Sequence, residues 1–563
     1  MISALRSVIV VLILTTPPGI FVSESVAQQR TIDRIELMPR KPSPFVMKDW
    51  KVLAQAYDRL IFDFNARGKY LPVIWWDNSR PNFERVTFGL PSYVGDPRVT
   101  STGHEAINSL GAVLGATISG IDKAQGVHNW VLMEEQYFNR KNGENLVLNR
   151  TATHSGQSFW YEVWPHVLFY ALVHRYPRTG QMEAIMKTTA DRWYDACYHM
   201  GGRKGTVDFE YTAFDFSTMK PVDNGKWKEP DAAAGIGWLE YMAWVKWRSP
   251  KYLQAADWSM QFLHNRAENP TYEILMPYGA YLAARLNGEL GRKYDVHKLL
   301  TWCFDESKAR PGWGTIAEDW GGYSCHGLVG SITDGGGYAF AMNTFASAGA
   351  LVPLVRYDDR YSRAIGKWML NAANSARLFY RDALPDDHQS SAFWKDDGGV
   401  IAYEGLRKEW KGRSPYATGD PMRLGWGPTD LALYGGSYVG FFGGIVRRTN
   451  VEMILQLDCL ATDFFHDRAY PTHLYYNPYD VAKEVQIDVG PKARDLYDAA
   501  TDSFLKRNVK GVSTFSLAAD TAAVLVVAPA RGAITRKGNK RLINGVVVDY
   551  VTIPNRLAAD ERR

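Results

Sequence analysis

The chain has 563 residues and a formal net charge of +5, and its 65 basic and 60 acidic side chains are interleaved throughout, which leaves no basic stripe for a nucleic acid. Its four cysteines, Cys197, Cys303, Cys325 and Cys459, stand far apart with no CxxC spacing, which argues against zinc and against a disulfide-built scaffold and leaves one bridge or simply buried thiols. The remaining bias is aromatic, with 19 Trp, 31 Tyr and 24 Phe, and many tryptophans sit beside glycine or a carboxylate rather than inside apolar runs.

The first residues read as a secretory leader. Arg6 precedes the apolar run "SVIVVLILTTPPGIF", and Ser25 and Ala27 occupy the small-residue positions of a cleavage site, so residues 1–27 are expected to be removed after Ala27. The run falls short of the ~20 residues that span a bilayer. The mature chain is therefore expected to be secreted or periplasmic, with no membrane span. Residues 28–102 then form an N-terminal segment with one helix and cleft loops, in which Trp75 and Trp76 offer a flat aromatic platform.

From residue 103 to 470 a two-part pattern repeats. Each copy has a helix that is small and apolar nearly all round, then a polar break, then a helix with one buried face. In chain order the pairs are "GHEAINSLGAVLGATISGI" with "VHNWVLMEEQYFNR", "SFWYEVWPHVLFYALVHRY" with "TGQMEAIMKTTADRWYDACYHM", and "DAAAGIGWLEYMAWVKW" with "SPKYLQAADWSMQFLHNR". Then come "YEILMPYGAYLAARLNGELG" with "RKYDVHKLLTWCF", "GGGYAFAMNTFASAGALVPLVRY" with "DDRYSRAIGKWMLNAANSARLFY", and "DLALYGGSYVGFFGGIVRR" with "NVEMILQLDCLATDFFHDR". An open helical solenoid would make both helices of each pair amphipathic. One enclosed helix per pair instead predicts a mainly α fold, an (α/α)6 toroid with six helices inside and six outside. Residues 471–563 change to β-branched runs broken by Gly, Pro, Asn and Asp, such as "STFSLAADTAAVLVVAPA" and "GVVVDYVTIP", which predicts a C-terminal β-sandwich.

Six helical hairpins, a β-domain and a leader together resemble the six-hairpin glycosidase superfamily, and the wording "LYDAATDSFLKRNVKG" is similar to the β-domain that trails many of its members. The resemblance implies a secreted enzyme acting on an oligo- or polysaccharide, a glycoside hydrolase, with polysaccharide lyases sharing the toroid and a noncatalytic glycan-binding protein as a third reading. It carries over no catalytic residue and implies no cofactor.

The mouths of the inner helices are where chemistry is expected. Hydrolysis takes a carboxylic acid and a second carboxylate, and the leading candidates are Asp334 in "SITDGGGY" and Asp231 in "KEPDAAAGIGW", followed by Glu229 and Asp319. For each the plainer reading is a helix N-cap. Substrate contacts are expected from Trp160, Glu162, His154, Trp320, His326, Tyr338, Trp426 and Asp430. For a lyase, His326 with Tyr338 or Tyr323, and His154 with Tyr161, supply an acid and a base. The "DDGG" at Asp396 to Gly399 lacks the spaced ligands of a known calcium loop and reads as a turn.

Overall fold

A computed structural model describes residues 29–95, 104–310, 312–333 and 336–551. The leader and Asp334 lie outside the described residues. Among the latter, no helix is long and apolar enough to cross a membrane.

Six helices form the inner ring: α1 (Ala106–Ile118), α2 (Phe159–Arg175), α3 (Ala232–Trp247), α4 (Met276–Leu290), α5 (Ala341–Leu354) and α6 (Val439–Ile445). Each packs against the next, and α6 packs back on α1, so the ring closes. The reason lies in their composition: α5 is buried at every position, and a side chain with polar atoms all round could not be enclosed in this way. Glycine permits the closest approach, because a β-carbon on Gly440 of α6 would run into the Gly115 carbonyl of α1.

The outer layer departs from the expected pairing at two places. The segment after α1 makes one α-helical turn, Trp130–Met133, and then the 3-10 turn Glu134–Tyr137, because Gln136 spends its amide on the backbone of Phe83 and Arg85. The segment after α6, expected to be the sixth outer helix, is not helical. It gives the strand Leu455–Asp458, whose alternate residues are buried, as a period of two dictates. The sixth outer position is filled from the N-terminal segment by Trp50–Ile61, which packs on α6. There Gly443 leaves room for Ala54, and Trp50 meets Phe442 edge-on at 5.3 Å. The helices Met182–His199, Pro250–Asn265, Val296–Phe304 and Ser362–Ser375 pack outside α2 to α5 as expected.

Strands are too prominent for the label mainly α. A five-stranded antiparallel sheet lies at the mouth of the ring in the order Tyr416–Thr418, Gly405–Arg407, Tyr338–Phe340, Val329–Ser331, Trp313–Thr315, and its central strand runs straight into α5. Farther along, a six-stranded sheet begins with Val446–Arg448, which leaves α6 without a loop. Its strand Ala522–Pro529 is buried on both faces. Ala523, Leu525 and Val527 face Val485 and Phe515 of the strand pair Lys483–Asp488 and Val512–Leu517, in sandwich fashion, while Val524 and Val526 face the helical core. That two-sided burial explains why this stretch reads as a continuous apolar run. All four cysteines are free and buried.

Candidate functional site

A cavity of about 1430 Å³ opens at the N-terminal ends of the inner helices. Every inner helix, or the loop that enters it, supplies part of the wall: Glu105 to α1, Tyr161 to α2, Trp227 to α3, Glu273 to α4, Phe340 to α5 and Tyr434 to α6. The helix axes therefore present their positive ends to one space. The aromatic wall is continuous. Tyr434 lies parallel to Tyr93 at 6.2 Å, to Phe340 at 5.9 Å and to Trp160 at 6.2 Å, and Trp426, half exposed at the rim, meets Tyr93 edge-on at 5.2 Å.

Four carboxylates line this space: Glu105, Glu273, Glu404 and Asp420. Glu273 stands in the loop before α4 with a φ of +52°, a left-handed geometry that is uncommon for a residue with a side chain. Its Oε2 is buried with no hydrogen-bond partner among the described residues, and burial pushes its pKa up to about 7 against the pull of Tyr272 and Arg310. Glu404 precedes the strand Gly405–Arg407, accepts the Tyr93 hydroxyl at 2.7 Å and the Asp420 N–H at 2.7 Å, and is also raised to about 7 by burial. Glu105 takes the N-cap position of α1 but spends its oxygens on the Ser92 hydroxyl and the Asn149 amide rather than on its own helix. Burial raises its pKa, and Ser92, Asn149 and Arg150 oppose the rise. The Tyr161 phenol, 42% exposed for the residue as a whole, lies in the fields of both Glu105 and Glu273.

Basic groups complete the lining. The Arg310 guanidinium lies 3.3 Å from the centroid of the Tyr272 ring and pairs with Glu229 at 3.1 Å, and Arg407 lies over Tyr338 at 4.2 Å.

Of the residues expected from sequence, Tyr338 and Trp426 line the cavity, and Trp160 is buried beneath Tyr434. His154 and Glu162 line a smaller chamber of about 200 Å³ that shares Glu105, Arg150 and Tyr161 with the main one. Glu162 accepts three backbone N–H groups, from Gly156, Gln157 and Phe214, and burial nevertheless lifts its pKa to about 8. Glu229 and Asp231 stand behind the wall, each 1% exposed. Glu229 takes the Ser158 hydroxyl, the Trp160 N–H and Arg310. Asp231 makes no cap within α3, and instead accepts the Tyr272 N–H at 3.2 Å, which tethers the loop that carries Glu273. Asp319 pairs with His326 at 3.3 Å on a hairpin, Trp320 is buried beside them, and these three lie off the cavity. Asp430 is fully buried and holds the Thr418 hydroxyl and the Met422 N–H. Asp397 of the "DDGG" turn accepts the Gly399 and Ile401 N–H groups and pairs with Arg381. Among the described residues no three His, Cys, Asp or Glu side chains converge to hold a metal ion.

Glu105 and Glu273 were within reach of the sequence, since Glu105 immediately precedes α1 and Glu273 stands in the short loop that enters α4, in "GHEAINSL" and "PTYEILMP". Glu404 and Asp420 were not, because they belong to the sheet and loops inserted between α5 and α6.

No protein-family model matches the chain, and no curated protein matches its sequence. Among solved structures, the crystal structure of a GH127 beta-L-arabinofuranosidase from Geobacillus Stearothermophilus T6 aligns over 90% of this chain and 86% of that one, at 10% identity and a TM-score of 0.32. At that identity and score the likeness bears on no residue.

Proposed function

We propose that the protein is a glycoside hydrolase, secreted or periplasmic by virtue of its leader, that cleaves a glycan in the cavity at the helix mouths. The observation that carries the reading is Glu273, a carboxyl held near neutrality by burial, with one oxygen unpartnered, in a cavity walled by aromatic rings that suit sugar faces. Glu273 serves as the acid: its proton passes to the glycosidic oxygen as the C–O bond breaks. Glu105, held by Ser92 and Asn149, takes the proton of the water that adds to the anomeric carbon. Exchange with solvent resets both groups. Arg310, Trp227 and Trp426 at the rim hold the sugar by stacking and hydrogen bonds.

Glu273→Gln and Glu105→Gln test the assignment, since each keeps the shape and removes the proton chemistry. Each is expected to lower kcat by about 100-fold or more with melting unchanged. Activity equal to the parent in both would overturn it. Because Tyr161, Arg310 and Arg407 in the same cavity are also the groups that a uronate lyase uses, products are to be followed in the ultraviolet, and hydrolysis predicts no unsaturated sugar.

A further inference from the structure

We infer that His104 is a positioning residue for Glu105, fixed by a buried hydrogen-bond chain through Asp77, Tyr137 and Ser109, an inference that rests on Glu105 serving as the base. The chain joins three separate stretches: the strand Trp75–Asp77, the mouth and first turn of α1, and the 3-10 turn Glu134–Tyr137. Asp77 Oδ2 lies 2.8 Å from His104 Nε2, and His104 Nδ1 lies 2.6 Å from the Tyr137 hydroxyl. That hydroxyl lies 2.5 Å from the Ser109 hydroxyl, which also stands 3.0 Å from the Glu105 carbonyl oxygen. His104, Tyr137 and Ser109 are at most 7% exposed, so a lost link leaves its partner buried and unpaired.

Counting protons shows that the chain holds in either state of the ring. His104 keeps Asp77 well below the usual carboxylate range, so Asp77 is an ionised end that only accepts, and Nε2 carries a hydrogen. A neutral ring then accepts at Nδ1 from Tyr137, whose oxygen accepts from Ser109. A charged ring reverses the order: Nδ1 donates to Tyr137, Tyr137 donates to Ser109, and Ser109 donates to the Glu105 carbonyl. Each link has one proton in both orders.

The consequence falls on Glu105, the next residue. A ring tied at both nitrogens leaves the peptide that enters Glu105 little freedom. From the other side Asn149 donates to Glu105 Oε1 at 2.8 Å, accepts the Ile107 N–H at 3.2 Å, and takes the Ala106 N–H on its main-chain carbonyl at 2.9 Å. Asn108 donates at 3.0 Å to the Ser92 hydroxyl that binds the other carboxyl oxygen. Asn149 and Ser92 thus clamp the carboxyl group, and the chain through His104 holds the main chain behind it. A misplacement of about 1 Å caused by a change away from the chemistry can cost ~100-fold in rate.

The test uses the full chain on any plant, algal or bacterial polysaccharide that it cleaves, well below the melting temperature of each variant. Tyr137→Phe removes one hydroxyl and cuts the chain in the middle, and His104→Gln removes the ring. Each is expected to lower kcat about tenfold or more with KM within about twofold, and the double variant to fall no further than the lower single, because both break one chain. Tyr137→Phe, the milder change, decides alone where His104→Gln does not fold. In protein labelled with 15N-histidine, the His104 signals are expected to show Nε2 protonated at every pH at which the protein is folded. Parent kcat in Tyr137→Phe, losses that multiply in the double variant, a raised KM at unchanged kcat, or a ring protonated on Nδ1 alone would overturn the inference and leave the hydrolase standing. Parent activity in Glu105→Gln, or cleavage of no polysaccharide, would overturn the reading of Glu105 as the base and this inference with it.

Discussion

Glu273 joins two features that cost free energy, a left-handed backbone and a buried carboxyl with an unpartnered oxygen. Unfavourable local geometry of this kind persists only where the surroundings over-determine it. The surroundings are visible: Asp231 holds the preceding N–H, and Arg310 lies over the preceding ring, itself anchored by the buried Glu229. Residues that the sequence nominated as catalytic thus hold the loop of the residue assigned here as the acid. An acid that must be protonated loses function as pH rises through its pKa, so kcat/KM is expected to fall above about pH 7, the value to which burial lifts Glu273. A pH–rate profile checks this, and a plateau extending past pH 9 would count against Glu273 as the proton donor. At the rim, Trp426 offers a half-exposed ring. Trp426→Ala is expected to raise KM several-fold with kcat nearly unchanged, the pattern for lost uniform binding.

The contact between α1 and α6 sets the diameter of the ring. Gly115 and Gly440 meet backbone to backbone, so neither can yield to an added methyl group. Gly440→Ala is expected to destabilise by about 1–3 kcal/mol, the usual cost of overpacking, with a lower melting temperature by calorimetry. The helical pairs were legible because an enclosed helix writes its burial into composition: the small residues of "AMNTFASAGALVPL" admit no exposed face. The sixth pair was misread because "NVEMILQLD" has apolar residues dense enough to satisfy either period, and pairing with Thr472–Tyr476 selects the strand. The mouth sheet was illegible for a different reason. Its strands are three residues long, too short for alternation to register, and Tyr338–Phe340 merges with the helix that follows. With that sheet went Glu404 and Asp420. Carboxylates before helices were recognisable as a class, but which of them faces the cavity and which turns behind the wall depends on contacts such as Asp231 with Tyr272, made between different pairs.

Across the whole molecule, the end of the ring away from the cavity is locked by charge. Asp463, fully buried, accepts the Tyr281 and Tyr357 hydroxyls and pairs with Arg356, while Arg285, also buried, donates to the Phe464 and Phe465 carbonyls. Removing one member of such a cluster leaves the others buried and uncompensated, so Asp463→Ala is expected to cost about 3–5 kcal/mol in urea unfolding. Stability should also depend on pH in a defined direction. His166 and His174, lowered to about 3, and His466, lowered to about 4, disfavour folding only as pH falls below 6.5. Glu162, Glu273 and Glu404 are raised to between about 7 and 8, so the folded state holds protons that the unfolded state has lost above pH 4.5. Their contribution is complete below pH 4.5 and disappears as pH rises through 7 to 8. Above pH 6.5 the histidines are silent, and melting temperature is expected to decline from pH 6.5 to 8; a rising curve there would mean that these carboxyls ionise freely in the fold. The ring also has a closure in time. Its last gap, beside α6, is filled by Trp50–Ile61 from near the beginning of the chain. When synthesis proceeds from the N-terminus, that helix emerges before the ring, and the part of its apolar stripe that meets α6 stays uncovered until Val439–Ile445 has been made. Pairing across so long a separation places the toroid among slow folders and makes the early chain a natural client for chaperones.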